Sequence, residues 1–238
     1  MPWRMSPERV VTEAGAELAT ALGAAARTVV RYGSAETEDF RPGRSDVNLA
    51  AVVEPIGFTQ LQQVAQWYAR WWRHGVAAPL LLSASDLVRS LDVFPLELLD
   101  IQARHRTLAG AELFGGLVAT PEAVRLECER EAKGKLLRLR GLYLELAGSM
   151  SAIRDLMVDS RKTFLHVMRG LLYLRGAGWE VRGHAVVPAF EREHRLSMPV
   201  LATLALGSDD AAVAARFADY LAEIEALAAI ADTAGPPA

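Results

Sequence analysis

Asp46 and Asn48 stand two residues apart at the head of an apolar run, Asp46-Val47-Asn48-Leu49-Ala50-Ala51-Val52-Val53. Alternate residues of a strand face the same way, so the carboxylate and the amide project to one face while Val47 and Leu49 enter a core. Both offer hard oxygen donors of the kind Mg²⁺ prefers. Upstream, Val29-Val30-Arg31-Tyr32-Gly33-Ser34 reads as another strand closed by a Gly-Ser turn. Glycine lets the backbone turn sharply and approach a ligand closely. The N–H groups after such a turn, with the Ser34 hydroxyl, suit a phosphate. Eleven residues separate Ser34 from Asp46, and Pro42 and Gly43 mark them as a loop. Its Arg41 and Arg44, with Ser45 beside Asp46, are further candidates for phosphate contact. Taken singly these features are ordinary, since Gly-Ser turns are common and an aspartate at a strand end often caps a turn. Their order and spacing are what point to chemistry.

That order resembles the active-site signature of the DNA polymerase beta-like nucleotidyltransferase superfamily: an apolar strand, Gly-Ser, a spacer of this length, then Asp-x-Asp or Asp-x-Glu on the next strand. The resemblance covers residues 26 to 54 and is carried by Gly33, Ser34 and Asp46. It departs at Asn48, where the family has a second carboxylate. It implies a nucleoside triphosphate held by Gly33 and Ser34, with Mg²⁺ (or Mn²⁺) on Asp46 and on position 48. It also implies transfer of a nucleoside monophosphate to a hydroxyl of a small molecule or protein. A third carboxylate is then expected on a strand beside the Asp-x-Asp strand. Phe94-Pro95-Leu96-Glu97-Leu98-Leu99-Asp100-Ile101 is apolar and reads as that strand, with Glu97 and Asp100 three apart and so on opposite faces. Glu97, with apolar neighbours on both sides, is favoured as the third catalytic and metal-binding group, and Asp100 is the alternative. Arg106-Thr107-Leu108-Ala109-Gly110 resembles the segment that often closes the domain in this superfamily. Asn48 contributes no negative charge, so a second reading stands beside the enzyme: a catalytically degenerate nucleotide-binding regulator or interaction protein.

The elements that must position these groups follow from periodicity. Ser6-Pro7-Glu8 opens a helix to Ala24; strands are expected over 27–32, 46–53 and 79–83, with a helical turn over 85–88. A helix over 58–74 places Leu61, Val64, Ala65, Tyr68 and Trp72 on one side, and its tryptophans read as core. Leu113–Ala119 is a linker. Helices follow from Thr120 to Gly148, from Ser151 to Arg175, from Ala185 to His194, and from a Ser208-Asp209-Asp210 cap to Ala231. The fold class is therefore α+β: a nucleotidyltransferase-like mixed sheet with flanking helices over 1–115, an all-α helical bundle over 120–233, and a flexible tail over 234–238. In several families of the superfamily such a bundle closes the substrate cleft.

Composition bounds the partners. The chain has 238 residues, 51% hydrophobic and 23% charged, with a net charge of −3. That lacks the basic field expected of a nucleic-acid binder. No apolar run has the length of a membrane span or a signal peptide. Cys128 is the sole cysteine, so no intramolecular disulfide forms and a cytoplasmic location is expected. Arginines and lysines between Arg125 and Lys162 read mostly as solvated helix faces, with Ser160-Arg161-Lys162-Thr163 the best second candidate for a substrate contact. The bundle also offers a surface for a homodimer or another protein.

Overall fold

The computed structural model describes residues 5–37, 40–43, 45–146, 148–179, 181, 183–207 and 211–235. The chain divides into two compact units, Met1–Leu91 with Glu97–Val118, and Asp92–Leu96 with Ala119–Ala238. The first is built on a mixed sheet and the second is helical, which makes the chain α+β.

In the first unit, α1 (Pro7–Leu22) starts at Ser6, whose hydroxyl accepts from the Arg9 amide, with Pro7 at the first turn. Strand β1 (Ala26–Tyr32) is central, and β2 (Asn48–Val53) and β4 (His105–Gly110) pair with it antiparallel on either side. β3 (Leu80–Leu82) runs parallel to β2, giving the order β3-β2-β1-β4. Central strands bury both faces, and so Val29, Val30 and Leu49 through Val53 are all buried. One face packs on α1 and α2 (Phe58–Trp71), with Val10, Ala14, Leu18, Val64, Trp67 and Trp71 in its core. The other face takes Val30, Ala50 and Val52 against Leu87 of α3 (Ala84–Arg89), Leu98 and Ile101 of α4 (Pro95–Ala103), and Phe114.

Two expectations are corrected. Residues 94–101 are not a strand: Pro95 sits at the first position of helix α4, where its missing N–H costs nothing. Leu96, Leu98, Leu99 and Ile101 are all buried, so the helix is covered nearly all round and its sequence shows no helical stripe. In α2 the core face is Val64, Trp67 and Trp71, while Leu61, Ala65 and Trp72 are exposed and Tyr68 half-buried. The Trp67 indole N–H donates to the Ala14 carbonyl and that of Trp71 to Glu17, both at 3.0 Å, which fixes the rotation of the helix.

In the second unit, α5 (Pro121–Glu145) is capped by Thr120 and forms a hairpin with α6 (Met150–Leu174). A methyl group at Gly170 would lie 2.5 Å from Cys128 Sγ and 2.6 Å from Leu96 Cδ2, so glycine permits the close approach of α6 to α5. Burial raises the Cys128 thiol well above its usual range, with Glu127 adding to the shift, and keeps it inert. Buried carboxylates serve two helix starts: Glu127 accepts from the Leu96 amide at 2.7 Å, and Glu223 from the Val200 and Leu201 amides at 2.8 Å each. Helices α7 (Val186–His194), α8 (Pro199–Ala205) and α9 (Phe217–Thr233) complete the unit. α8 has no counterpart in the sequence reading, and the expected Ser208-Asp209-Asp210 cap lies outside the described residues. Among the described residues no helix is long and apolar enough to cross a membrane.

Gly110 ends β4 at φ +80°, and a methyl group there would fall 2.0 Å from the Arg27 carbonyl oxygen. Gly110→Ala is expected to cost about 2 kcal/mol or more, through strain and the displaced β1 backbone. Urea denaturation measures this, and a midpoint equal to that of wild type would contradict the packing.

Candidate functional site

The site is organised by the end of β1. Tyr32 pairs with Asn48 of β2 on one side and with His105 of β4 on the other. The next residue, Gly33, is buried at φ +77°, a conformation that side chains rarely tolerate. Its N–H donates to the Arg104 carbonyl at 3.3 Å. Gly33–Glu36 then form one 3-10 turn, closed by the Thr37 amide and the Thr37 hydroxyl, both donating to the Ser34 carbonyl at 3.0 Å. The half-buried Ser34 hydroxyl bonds to no described residue.

The turn is held from behind. Glu36 accepts from the buried Arg31 and from Arg106 at 3.1 Å, while Arg31 also donates to the Val11 carbonyl. This fastens β1, β4, α1 and the turn together. A buried arginine in an apolar strand is the sequence signal for it, and its reach to Glu36 could not be read from spacing.

Asn48 lies against the turn: its Nδ2 would stand 3.1 Å from a methyl group at Gly33. Gly33 and Asn48, far apart in sequence, are thus brought into contact. Asp46 precedes β2 and is exposed, while Val47 between them is fully buried and bridges Val76. The expected alternation of the two polar groups around an inward valine holds, although the regular strand starts only at Asn48. Ser45 is occupied locally: its hydroxyl accepts from the Arg41 amide at 3.1 Å and its own amide donates to the Arg41 carbonyl at 2.8 Å. Arg44 lies outside the described residues.

The third carboxylate departs most from the sequence reading. The strands beside β2 are β1 and β3 (Leu80-Leu81-Leu82), and neither carries an acid. Glu97 and Asp100 come from helix α4, where a spacing of three puts them on one face instead of two. Both carboxylates lie close enough to act on the Tyr32 phenol, Glu97 the more strongly. Burial first, then the charges of Glu97 and Asp100, push the Tyr32 hydroxyl far above its usual range, so it stays a donor. Glu97 is open to water on one side, but partial burial of its carboxyl raises its pKa, Asp100 raises it further, and the Tyr32 hydroxyl works the other way. Tyr32 is the site residue that sequence reasoning missed. Its place directly before Gly33 was the available signal.

A Mg²⁺ or Mn²⁺ pair does not fit this set. Asn48 is neutral, Asp46 stands just before β2, and among the described residues no three His, Cys, Asp or Glu side chains are grouped to hold a metal ion. Other candidates have structural duties. His105 Nε2 meets both Glu112 oxygens at 2.8 Å. Although burial works the other way, hydrogen bonds from Thr107, His105 and the Phe114 amide hold the Glu112 carboxyl down at about 2. The Ser160 hydroxyl is shared between the Leu156 carbonyl and Tyr220 within the helical unit.

No protein-family model matches the chain, and no curated protein matches it.

Glu97 and Asp100 offer a test of the electrostatics. A carboxyl raised above its unfolded value favours the folded state while protonated and loses that contribution as pH rises through the folded pKa. Glu97→Gln is therefore expected to melt higher than wild type at pH 7.5, with the difference vanishing near pH 4. A lower melting temperature at pH 7.5 would show that the ionised Glu97 stabilises the fold.

Proposed function

We propose that the N-terminal unit is a nucleotide-binding module of the nucleotidyltransferase-like kind that has lost the two-ion transfer centre. The observation that carries this reading is the Gly33-Ser34 turn at the end of β1 with Asn48 against it and only leucines on β3. The turn supplies the phosphate-facing half of the signature: a buried positive-φ glycine, a backbone brought close to its surroundings, and a serine hydroxyl engaged by no described residue. The acidic half is reduced to Asp46 just before β2.

Nucleotidyl transfer depends on positioning and on neutralising charge at the α-phosphate. With a neutral amide at 48, the residues present supply the positioning and little of the charge that would hold two ions together. Binding of a nucleoside triphosphate with its own divalent ion is the retained function, and the output is regulation of, or docking to, another protein. The inert Cys128 thiol is compatible with a reducing cytoplasm. A second reading, nucleotidyl transfer to a hydroxyl of a small molecule or protein, draws on the Glu97–Asp100 pair beside Tyr32, the only clustered acids of α4.

Asn48→Asp decides between the readings. The added charge beside Asp46 is expected to lower the melting temperature in chelator, because like charges repel. It is expected to increase the gain on adding ATP with Mg²⁺, because ligand bound to the native state stabilises it. Wild type is expected to show a smaller gain and no pyrophosphate release. Pyrophosphate release by wild type as fast as by the variant would favour the transferase reading. No response of either protein to ATP with Mg²⁺ would remove nucleotide from the account.

A further inference from the structure

Helix α2 has a second apolar face that its own unit leaves uncovered. Phe58, Leu61, Ala65, Ala69 and Trp72 follow helical spacing and are exposed, with Phe58 at 74%, Leu61 at 48% and Trp72 at 41%. Ile56, at 38%, is also exposed in the turn before the helix. Lone exposed apolar side chains need no explanation, but a continuous strip of them on one helix marks an interaction surface. The core does not use this side, since Val64, Trp67 and Trp71 already bury the opposite flank.

The charges of the strip identify its occupant. From Pro55 to Ala69 the sequence holds no Asp, Glu, Lys, Arg or His, and the exposed polar residues of the helix over this range are Thr59, Gln62 and Gln66. Exposed Glu54 stands before one end and exposed Arg73 beyond the other. Neither makes an ion pair with a described residue; Arg73 lies over the Trp72 ring at 4.9 Å. An isologous contact sets residue i against residue j and j against i, with only groups at the two-fold axis meeting their own mates, so a surface built for it avoids charge at its centre and carries opposite charges at its ends.

We propose that this face pairs with a second copy of the chain, the two α2 helices antiparallel about Ala65. Phe58 and Trp72 are each seven residues from Ala65, about 10 Å along a helix, so each Phe58 meets Trp72 of the second copy. Ala65 meets its own mate, where a small side chain lets the backbones approach. Glu54 then falls near Arg73 of the second copy, and the symmetry gives that pair twice. A contact one helix wide belongs to the small class under about 1,200 Å², so the dimer is weak and concentration-dependent. This pairing does not depend on nucleotide binding.

Sedimentation equilibrium of the full chain from about 1 to 200 µM, a range that brackets micromolar affinity, tests it. Wild type is expected to pass from monomer to dimer across the range. Ala65→Arg, an exposed helix position that arginine suits, is expected to stay monomeric with an unchanged circular dichroism spectrum. Glu54→Arg alone and Arg73→Glu alone are each expected to weaken the dimer at least tenfold. Mixing these two variants is expected to restore it, since both cross-pairs are then opposite in sign. A wild type that is monomeric throughout overturns the proposal, as does a dimer indifferent to Ala65→Arg. Failure of the mixed variants to associate overturns the antiparallel arrangement.

Discussion

The first unit depends on β1 being bonded along both edges. A strand with antiparallel partners on each side has no free backbone polar groups and no freedom of register, because a slip of one residue would turn Val29 and Val30 onto each other's faces. The chain leaves this strand at a single point, Gly33, and there the backbone takes a positive φ that only glycine adopts at little cost. The candidate site is a consequence of that exit. Tyr32 is fixed by pairing with Asn48 and His105, the turn that follows is fixed by Glu36 between Arg31 and Arg106, and α4 brings its acids to the half-buried Tyr32 phenol.

Charge is distributed unevenly around this point. Asp46 is exposed, Asn48 is neutral, and the charge of Asp100 disfavours the ionised form of Glu97 beside Tyr32. Glu97 carries a raised pKa beside the half-buried Tyr32 of β1, and perturbed groups of this kind cluster at functional sites. The second unit spends its buried acids differently: Glu127 and Glu223 satisfy amide groups at helix starts, which is a structural use.

Much of this was legible in the sequence wherever polarity alternated with burial. The turn at Gly33-Ser34, the inward Val47 between two polar neighbours, and the caps Ser6 and Thr120 all announce themselves by local chemistry. Two features did not. Residues 94–101 are mostly apolar and carry only Glu97 and Asp100, a spacing of three that by itself does not separate a short strand from a short helix, and the faces assigned to the two acids changed with the choice. In α2, apolar residues occupy two stripes, and only the distant hydrogen bonds of Trp67 and Trp71 to α1 decide which stripe turns inward. Tyr32 was hidden for a related reason: its importance comes from what α4 places against it.

The central claim is that the backbone at Gly33-Ser34 receives phosphate. Amide chemical shifts of the isotopically labelled full chain, recorded while ATP with Mg²⁺ is added, test it most directly. The account predicts saturable shifts concentrated at Gly33, Ser34, Ala35 and the Asn48 side-chain amide. Absence of change at these positions at millimolar nucleotide, or saturable shifts confined to other parts of the chain, would contradict it.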